Sequence, residues 1–197
     1  MKELGRVSDI GHPERETAAD ELLAIRCQLG EPDAFDELIR RWHGPLWKYV
    51  RRLVGDEEAA EETLQDAWLR VLRGIGRLRD ASRLRAWLFG IARRAVMDRL
   101  RERYATPPTD PVDEMELAGP DDPRQVDDLE TDLARLHEEL QRLPIVEREV
   151  LTLFYLQELT LGEVADVLDV PVGTVKSRLF RARRLLRHEM DARGVRS

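Results

Sequence analysis

Residues 160–187, TLGEVADVLDVPVGTVKSRLFRARRLLR, contain two short amphipathic segments separated by a tight turn. Thr160 and Glu163 have the spacing of a capping box at the start of a helix, and apolar residues follow at helical intervals. A turn is expected at residues 169–171 and a second helix from about Val172. The apolar face of the second helix is formed by Val175, Leu179, Ala182 and Leu186. This arrangement predicts a helix-turn-helix motif.

The opposite face of the second helix carries hydroxyl groups, cations and one aromatic ring. Side chains of these types read base edges and hold phosphates in the major groove of DNA. An aromatic ring displayed among arginines is also more natural at an interface than on an idle surface. We therefore predict a DNA-binding surface formed by Thr174, Lys176, Ser177, Phe180, Arg181 and Arg184. The alternative is a solvated basic face on an ordinary bundle helix.

Charge is distributed unevenly along the chain. Its 39 acidic and 32 basic residues give a net charge of −7. Residues 170–197, however, contain eight basic and two acidic residues, an excess of six positive charges. The negative total therefore does not exclude nucleic acid as a partner, because the predicted DNA-binding helix is strongly cationic.

Residues 104–128 separate two helical regions. They contain five prolines and eight carboxylates without a sustained apolar period, which is typical of a flexible acidic linker. No segment alternates convincingly as a strand. We therefore predict an all-α chain with two small helical domains, the second of which contains the helix-turn-helix. The domains are expected at residues 20–103 and 129–191, with a disordered N-terminal tail at 1–19 and a short tail at 192–197.

Local signals divide the first domain into helices. Pro32 is expected to start a helix that Gly44 and Pro45 interrupt. Asp56 is expected to cap the next helix, and Ser82 to open another that runs to about residue 103. Phe89 belongs to a second apolar stripe on this last helix. The stripe could complete the core or offer a stacking surface to unpaired bases.

The helix that begins after Asp56 combines a small apolar face with an acidic outer face. A leucine lies in the middle of the acidic face, and such a surface suits a protein partner. The candidate contact residues are Glu62, Gln65, Asp66 and Leu69. The alternative is a single surface leucine among glutamates that favour helix formation.

Arginines are concentrated in the last helix of the first domain and in the loop before it. Their number and their arrangement around an apolar seam suit a polyanion. The candidate contacts are Arg77, Arg79, Arg83, Arg85, Arg93 and Arg94.

Several classes of protein are not supported by the sequence. No apolar run approaches the ~20 residues that span a bilayer, and the N-terminus lacks the apolar core of a signal peptide, so we expect a cytoplasmic protein without membrane insertion. Cys27 is the single cysteine, and the four histidines lack ligand spacing, so no disulfide or metal site is expected. No catalytic acid–base pair, nucleophile or phosphate-binding loop appears, which argues against an enzyme or a cofactor site.

The order and spacing of these motifs resemble bacterial sigma factors of the sigma-70 family, and specifically the small extracytoplasmic-function (ECF) group. The resemblance covers most of residues 20–190. It is carried by AFDELIRRWHGPLWKYVRRLVGD, AEETLQDAWLRVLR, RLRAWLFGIARR and LPIVEREVLTLFYLQELTLGEVADVLDVPVGTVKSRLFRARRLLR.

The resemblance implies a dissociable subunit that brings core RNA polymerase to promoters and is not itself an enzyme. The acidic patch around Leu69 would bind the β′ clamp helices, and the polymerase β flap would be a further contact. The arginines of residues 74–103 would engage the minus-ten element, and the helix-turn-helix would read the minus-thirty-five element. Arg94 stands where the family usually has asparagine. An anti-sigma protein is a further expected partner.

Two other functions remain open at this stage. A sigma-like decoy would use the same surfaces to occupy an anti-sigma protein, but it would not need both basic surfaces. A stand-alone helix-turn-helix regulator would not need the patch around Leu69.

Overall fold

The computed structural model describes residues 13–105 and 139–192, with side chains over residues 17–103 and 139–188. Within these ranges all regular structure is helical, which confirms the predicted all-α class. The first domain consists of α1 (Pro13–Gln28), α2 (Pro32–Val54), α3 (Glu57–Gly74) and α4 (Leu84–Ala105). The second contains α5 (Ile145–Leu151), α6 (Leu161–Leu168) and α7 (Val172–Ala192). None of the helices in the described ranges is both long and apolar enough to cross a membrane.

The N-terminal boundary differs from the prediction. α1 begins at Pro13 and so includes residues 13–19, which we had assigned to a tail. Proline is favoured at the start of a helix because its missing N–H would have no partner there. Residues 1–12 and 193–197 lie outside the described residues, as does the predicted linker beyond Ala105.

α2 continues through Pro45, so the predicted interruption at Gly44 and Pro45 is wrong. The proline removes one backbone hydrogen bond from the helix. Its neighbours nevertheless keep to one face, where Trp42, Leu46 and Tyr49 are all buried. Burial of several large side chains on a continuous face outweighs the loss of one hydrogen bond.

α3 begins and packs as predicted. The Asp56 carboxylate caps the helix by accepting a hydrogen bond from the Ala59 N–H at 2.8 Å. Ala60, Leu64, Ala67 and Val71 form its buried face. The helix ends at Gly74, where an added Cβ would lie only 3.2 Å from the ring of Trp87. A glycine is therefore needed for the close approach of α4 at this point.

α4 starts two residues later than predicted. Asp80 accepts hydrogen bonds from the Ser82 N–H at 3.1 Å and from its hydroxyl at 2.6 Å. Its carboxylate thereby caps a single 3₁₀ turn, Ala81–Arg83, and the α-helix follows from Leu84. Ser82 is thus held by the cap and does not itself open the helix.

The ring of Phe89 belongs to the core, which decides between the two functions considered for it. The ring is fully buried and lies edge-on to Trp42 and Tyr49, with centroid separations of 6.3 and 5.5 Å. Edge-to-face pairs of this kind add to the stabilisation that comes from burial. The three rings join α2 to α4 at the centre of the first domain.

The second domain contains the predicted helix-turn-helix. Thr160 and Glu163 form a complete capping box at the start of α6. Asp169 ends α6 in the left-handed conformation, with φ 54° and ψ 52°, and α7 begins three residues later. Pro144 precedes α5 as its N-cap and is not its first residue. The predicted inner face of α7 is buried at Val175, Leu179 and Ala182 and half-buried at Leu186.

Replacing Phe89 by alanine should lower the free energy of unfolding of the first domain by about 3–5 kcal/mol, because it removes a buried ring and leaves a cavity. The exposed Phe180 provides a matched control, and its replacement by alanine should change stability by less than about 0.5 kcal/mol. Urea unfolding of both variants would measure the difference. Equal effects of the two substitutions would contradict the assignment of Phe89 to the core.

Candidate nucleic-acid interface

The structure places the predicted DNA-binding residues of α7 together on its outer face. Phe180 is 58% exposed, although it is a large aromatic residue. The polar members of the set surround it: Lys176, Ser177, Arg181 and Arg184 are exposed, and Thr174 is half-buried. The face therefore offers hydroxyl, cationic and aromatic groups side by side.

Local contacts restrain several of these side chains. The Arg184 guanidinium lies 5.9 Å from the centre of the Phe180 ring, which is within the range of a cation–π interaction. The Ser177 hydroxyl donates to the Thr174 carbonyl at 2.9 Å. Arg181 Nε donates to Glu147 Oε1 at 2.6 Å, and Arg181 Nη2 contacts the same oxygen. Contacts with neighbouring groups thus restrain four of the six predicted side chains: Ser177, Phe180, Arg181 and Arg184.

The six predicted minus-ten arginines fall into two groups. Arg77, Arg79 and Arg94 are exposed on the surface of the first domain. The other three, Arg83, Arg85 and Arg93, contact groups of the second domain. The structure therefore brings the arginine-rich helix against the domain that carries the helix-turn-helix.

The domains share one buried apolar core, and the polar contacts between them include all three of these arginines. Arg93 Nε donates to Glu149 Oε1 at 3.0 Å. Arg85 donates to the backbone carbonyl of Gln157, and Arg83 forms an ion pair with Asp166. The guanidinium groups that suit a polyanion are thus occupied by acceptors of the second domain.

Glu149 is the buried centre of this domain interface. Its Oε1 also accepts a hydrogen bond from the Tyr49 hydroxyl at 3.0 Å. Burial raises the pKa of the Glu149 carboxyl, whereas Arg93 and Tyr49 act in the opposite direction. Burial, together with the charge of Glu149, raises the pKa of the Tyr49 hydroxyl well above its ordinary value, so Tyr49 acts as a neutral donor.

Glu149 and Glu147 were missed by the sequence analysis. They lie in α5 at positions where burial follows from packing against α2, α4 and α7. The only local signal is the placement of two carboxylates within the apolar run from Val146 to Leu153. Buried carboxylates require a hydrogen-bonding or cationic partner, and in both cases the partner is distant in sequence.

The acidic face of α3 also has partners, supplied by α3 itself and α4. Leu69 is 48% exposed, and Gln65 is exposed beside it. Glu62 pairs with Arg99 at 2.9 Å, and Asp66 pairs with Arg70 at 2.6 Å. Arg70 also reaches Asp98 at 2.7 Å. The predicted contact residues therefore lie on one face of α3, and both of their carboxylates pair with neighbouring arginines.

A metal site is not formed by the described side chains, since they contain no cluster of three or more histidine, cysteine or carboxylate residues that could hold an ion. The chemistry of the two surfaces is recognition by charge, hydrogen bonding and apolar contact.

Comparison with known families matches both domains. The family model described as Sigma-70 region 2 matches residues 38–106, and the model described as Sigma-70, region 4 matches residues 133–186. The first match contains α3 and α4, and the second contains the helix-turn-helix.

Curated relatives align over nearly the whole chain. The RNA polymerase sigma-H factor of Pseudomonas aeruginosa is 31% identical over 83% of this chain and 90% of its own length. The ECF RNA polymerase sigma factor SigM of Mycobacterium tuberculosis is 38% identical over 88% of this chain and 84% of its own length. The ECF RNA polymerase sigma-E factor of Escherichia coli K12 is 29% identical over 89% of this chain and 96% of its own length.

Solved structures share the two-domain architecture. CnrH, in complex with the cytosolic domain of CnrY, matches with a TM-score of 0.68 and 27% identity over 88% of this chain and 98% of its own. RpoE of Bartonella quintana, in complex with the anti-sigma factor NepR, has the same fold, with a TM-score of 0.63 and 20% identity over 81% of this chain and 98% of its own.

A domain that matches Sigma-70 region 2, together with a helix-turn-helix domain that matches Sigma-70 region 4, defines a transcription factor of the sigma type. The chain belongs to the sigma-70 family, in its extracytoplasmic-function group. It is an RNA polymerase sigma factor, which directs the core polymerase to specific promoters and initiates transcription.

Contact between the domains should weaken as pH rises. We call the arrangement in which the two domains are in contact the closed form. Because burial raises the pKa of Glu149, this carboxyl binds a proton more tightly in the closed form than in a form in which it regains water. Protonation of Glu149 stabilises the closed form fully below the ordinary carboxyl pKa of about 4.3. This stabilisation is lost as pH rises through the raised pKa of Glu149. The groups that face the Glu149 carboxyl are the Tyr49 hydroxyl, whose pKa is raised well above its ordinary value, and the guanidinium groups of Arg93 and Arg178.

Small-angle scattering across a pH series would measure this effect as an increase in the radius of gyration. Glu149→Gln keeps the size of the side chain and removes the titrating group, so its profile should lack the Glu149 step and serve as the control. Identical profiles for the two proteins would contradict a role for Glu149 in domain contact.

Proposed function

We propose that promoter recognition is divided between the two domains. The outer face of α7 reads the minus-thirty-five element through Thr174, Lys176, Ser177, Phe180, Arg181 and Arg184. The observation that carries this assignment is the exposure of Phe180 among cationic and hydroxyl groups on one helix face. Such a face can combine contacts to bases with contacts to phosphates.

The arginine-rich edge of the first domain engages the minus-ten element. Its contact residues are Arg77, Arg79, Arg83, Arg85, Arg93 and Arg94. Guanidinium groups bind phosphate oxygens with planar, charge-assisted hydrogen bonds. Since Phe89 is buried, base stacking in this region does not involve its ring.

The patch on α3 binds core RNA polymerase at its β′ clamp helices, through Glu62, Gln65, Asp66 and Leu69. The exposed Leu69 within an acidic and amide-bearing surface supports this contact, because such a surface offers an apolar anchor with a polar rim. A further contact joins the second domain to the β flap. Both partners place the protein in the cytoplasm.

The domain boundaries are part of the same proposal. The first functional domain spans residues 20–103 together with the start of α1 at Pro13. An acidic tether at 104–128 leads to the second domain at 129–191, and a short tail at 192–197 follows.

In the closed arrangement, three of the minus-ten arginines are paired with acceptors of the second domain, although the Arg83 side chain remains 54% exposed. Glu149, Asp166 and the carbonyl of Gln157 occupy the same donors that phosphates would use. Core polymerase therefore has to separate the domains before the minus-ten element can bind fully. The paired groups do not lose their partners on such a separation, because they regain hydration or bind DNA.

An anti-sigma protein is a further partner. A cleft of about 850 Å³ between the domains is lined by Trp42 and Phe89 of the first domain and by Leu156 and Gln157 of the second. The solved structure of CnrH contains the cytosolic domain of CnrY, and that of RpoE contains the anti-sigma factor NepR. A partner that binds both walls of this cleft would hold the domains together and keep the arginines from DNA.

Transcription of a fragmented genomic DNA library tests the proposed function directly. Core polymerase would be compared with and without the full chain, and the 5′ ends of the transcripts would be sequenced. We expect new, defined start sites that share two upstream elements. A decoy or a stand-alone regulator would yield no new start sites, and that result would contradict the proposal.

Leu69→Arg should weaken binding to core polymerase by at least about tenfold, which corresponds to about 1.4 kcal/mol, because it replaces the proposed apolar anchor by a charge. Leu22→Arg is the matched control, since Leu22 is a similarly exposed leucine on α1. Titration of labelled protein with core polymerase would measure both affinities. Equal losses for the two variants would contradict the assignment of the contact to α3.

A further inference from the structure

A buried carboxylate lies directly beneath one exposed arginine of the DNA-binding face. Glu147 lies in the first turn of α5, and its side chain is 1% exposed. Its Oε1 accepts a hydrogen bond from Arg181 Nε at 2.6 Å and is also contacted by Arg181 Nη2. The Arg181 side chain is 68% exposed. The Glu147 carboxylate is therefore shielded from solvent, whereas the Arg181 guanidinium remains accessible to it.

The position of Glu147 explains why its charge is tolerated. A carboxylate in the first turn of a helix is favoured by the helix dipole, although a buried charge also needs a hydrogen-bonding partner. Within the described part of the chain, Glu147 Oε2 has no hydrogen-bond partner. Arg181 therefore supplies the hydrogen bonds that compensate this carboxylate.

The geometry restricts Arg181 and leaves it able to bind DNA. A guanidinium carries five N–H donors in one plane, and the contact with Glu147 uses the Nε edge. The donors on the opposite edge remain directed away from the carboxylate. A side chain whose rotamer is fixed in advance loses less entropy on binding than a mobile one.

We propose that Glu147 is a positioning residue for promoter recognition, which holds the Arg181 guanidinium in the orientation that reads the minus-thirty-five element. This inference rests on the proposed function of the outer face of α7. Glu147 makes no contact with DNA itself and acts through Arg181 alone.

The pair changes how substitutions of Arg181 should be interpreted. Arg181→Ala removes a DNA contact and also leaves a buried carboxylate without compensation, which destabilises proteins. Glu147→Gln is a cleaner test, because glutamine keeps the size of the side chain and a carbonyl acceptor while the charge is lost. Arg181→Lys is a second test, because lysine keeps the positive charge but lacks the planar guanidinium.

The experiment uses holoenzyme reconstituted from core polymerase and the full chain. Initiation rates are measured on one promoter from the library transcription and on the same promoter with its minus-thirty-five element scrambled. The ratio of the two rates is the upstream preference. We expect Glu147→Gln to lower this ratio about tenfold, the effect of a lost charge-assisted contact, with unchanged affinity for core polymerase and an unchanged rate on the scrambled promoter.

A double-variant comparison separates positioning from folding. In an Arg181→Lys background, Glu147→Gln should cause no further loss of upstream preference. Glu139→Gln is the matched control, because Glu139 is a buried carboxylate of the same domain that pairs with Arg142. It should leave the ratio unchanged.

The outcomes are distinct. An unchanged or increased ratio in folded Glu147→Gln would overturn the proposal, as would full upstream preference in Arg181→Lys. If Glu147→Gln does not fold, the test is the upstream preference of Arg181→Lys, and full preference in that variant overturns the proposal. A wild-type protein that ignores the scrambled element would instead overturn the proposed function of α7.

Discussion

The hydrogen-bonded contact of Glu149 with Tyr49 and Arg93 is the interaction on which the arrangement of the whole molecule depends. Tyr49 is packed against Phe89 in the core of the first domain, so its hydroxyl is held rigidly at the domain surface. Glu149 projects from α5 of the second domain and meets both donors in a buried environment. A buried charge of this kind stabilises an interface only while its partners remain in place. The contact is therefore specific and also suited to being broken.

The same constraint relates the closed form to promoter binding. The chain is acidic overall, but the regions proposed to bind DNA, α4 with its preceding loop and α7, are rich in arginine. In the first domain, three of these arginines are paired with acceptors of the second domain, and they must exchange a protein partner for phosphate. In α7 the situation differs, because Glu147 holds Arg181 from the inner side and leaves its outer edge accessible. One set of arginines is thus paired across the domain interface, whereas Arg181 is paired within its own domain and keeps an exposed edge.

Local sequence patterns predicted most of the helices and the whole outer face of α7. The capping box at Thr160, the cap at Asp56 and the turn that follows α6 all depend on residues within a few positions of one another, and the structure confirms them. The interruption at Pro45 and the helix start at Ser82 were wrong, because burial on a continuous face and the Asp80 carboxylate prevailed over single-residue signals. The pairs formed by Glu147 and Glu149 were not predictable, since their arginine partners are 34 and 56 positions away. Such pairs are set by tertiary packing and leave no periodic pattern.

The distance between the domains tests this account most directly. Fluorescent labels on the exposed positions Arg40 of α2 and Arg187 of α7, in a chain with Cys27→Ser, would report the separation by energy transfer. The account predicts efficient transfer in the isolated protein and a clear loss of transfer when core polymerase is added. Equal transfer in the isolated protein and in the holoenzyme would contradict it, because the arginines of α4 would then remain bound to the second domain while transcription begins.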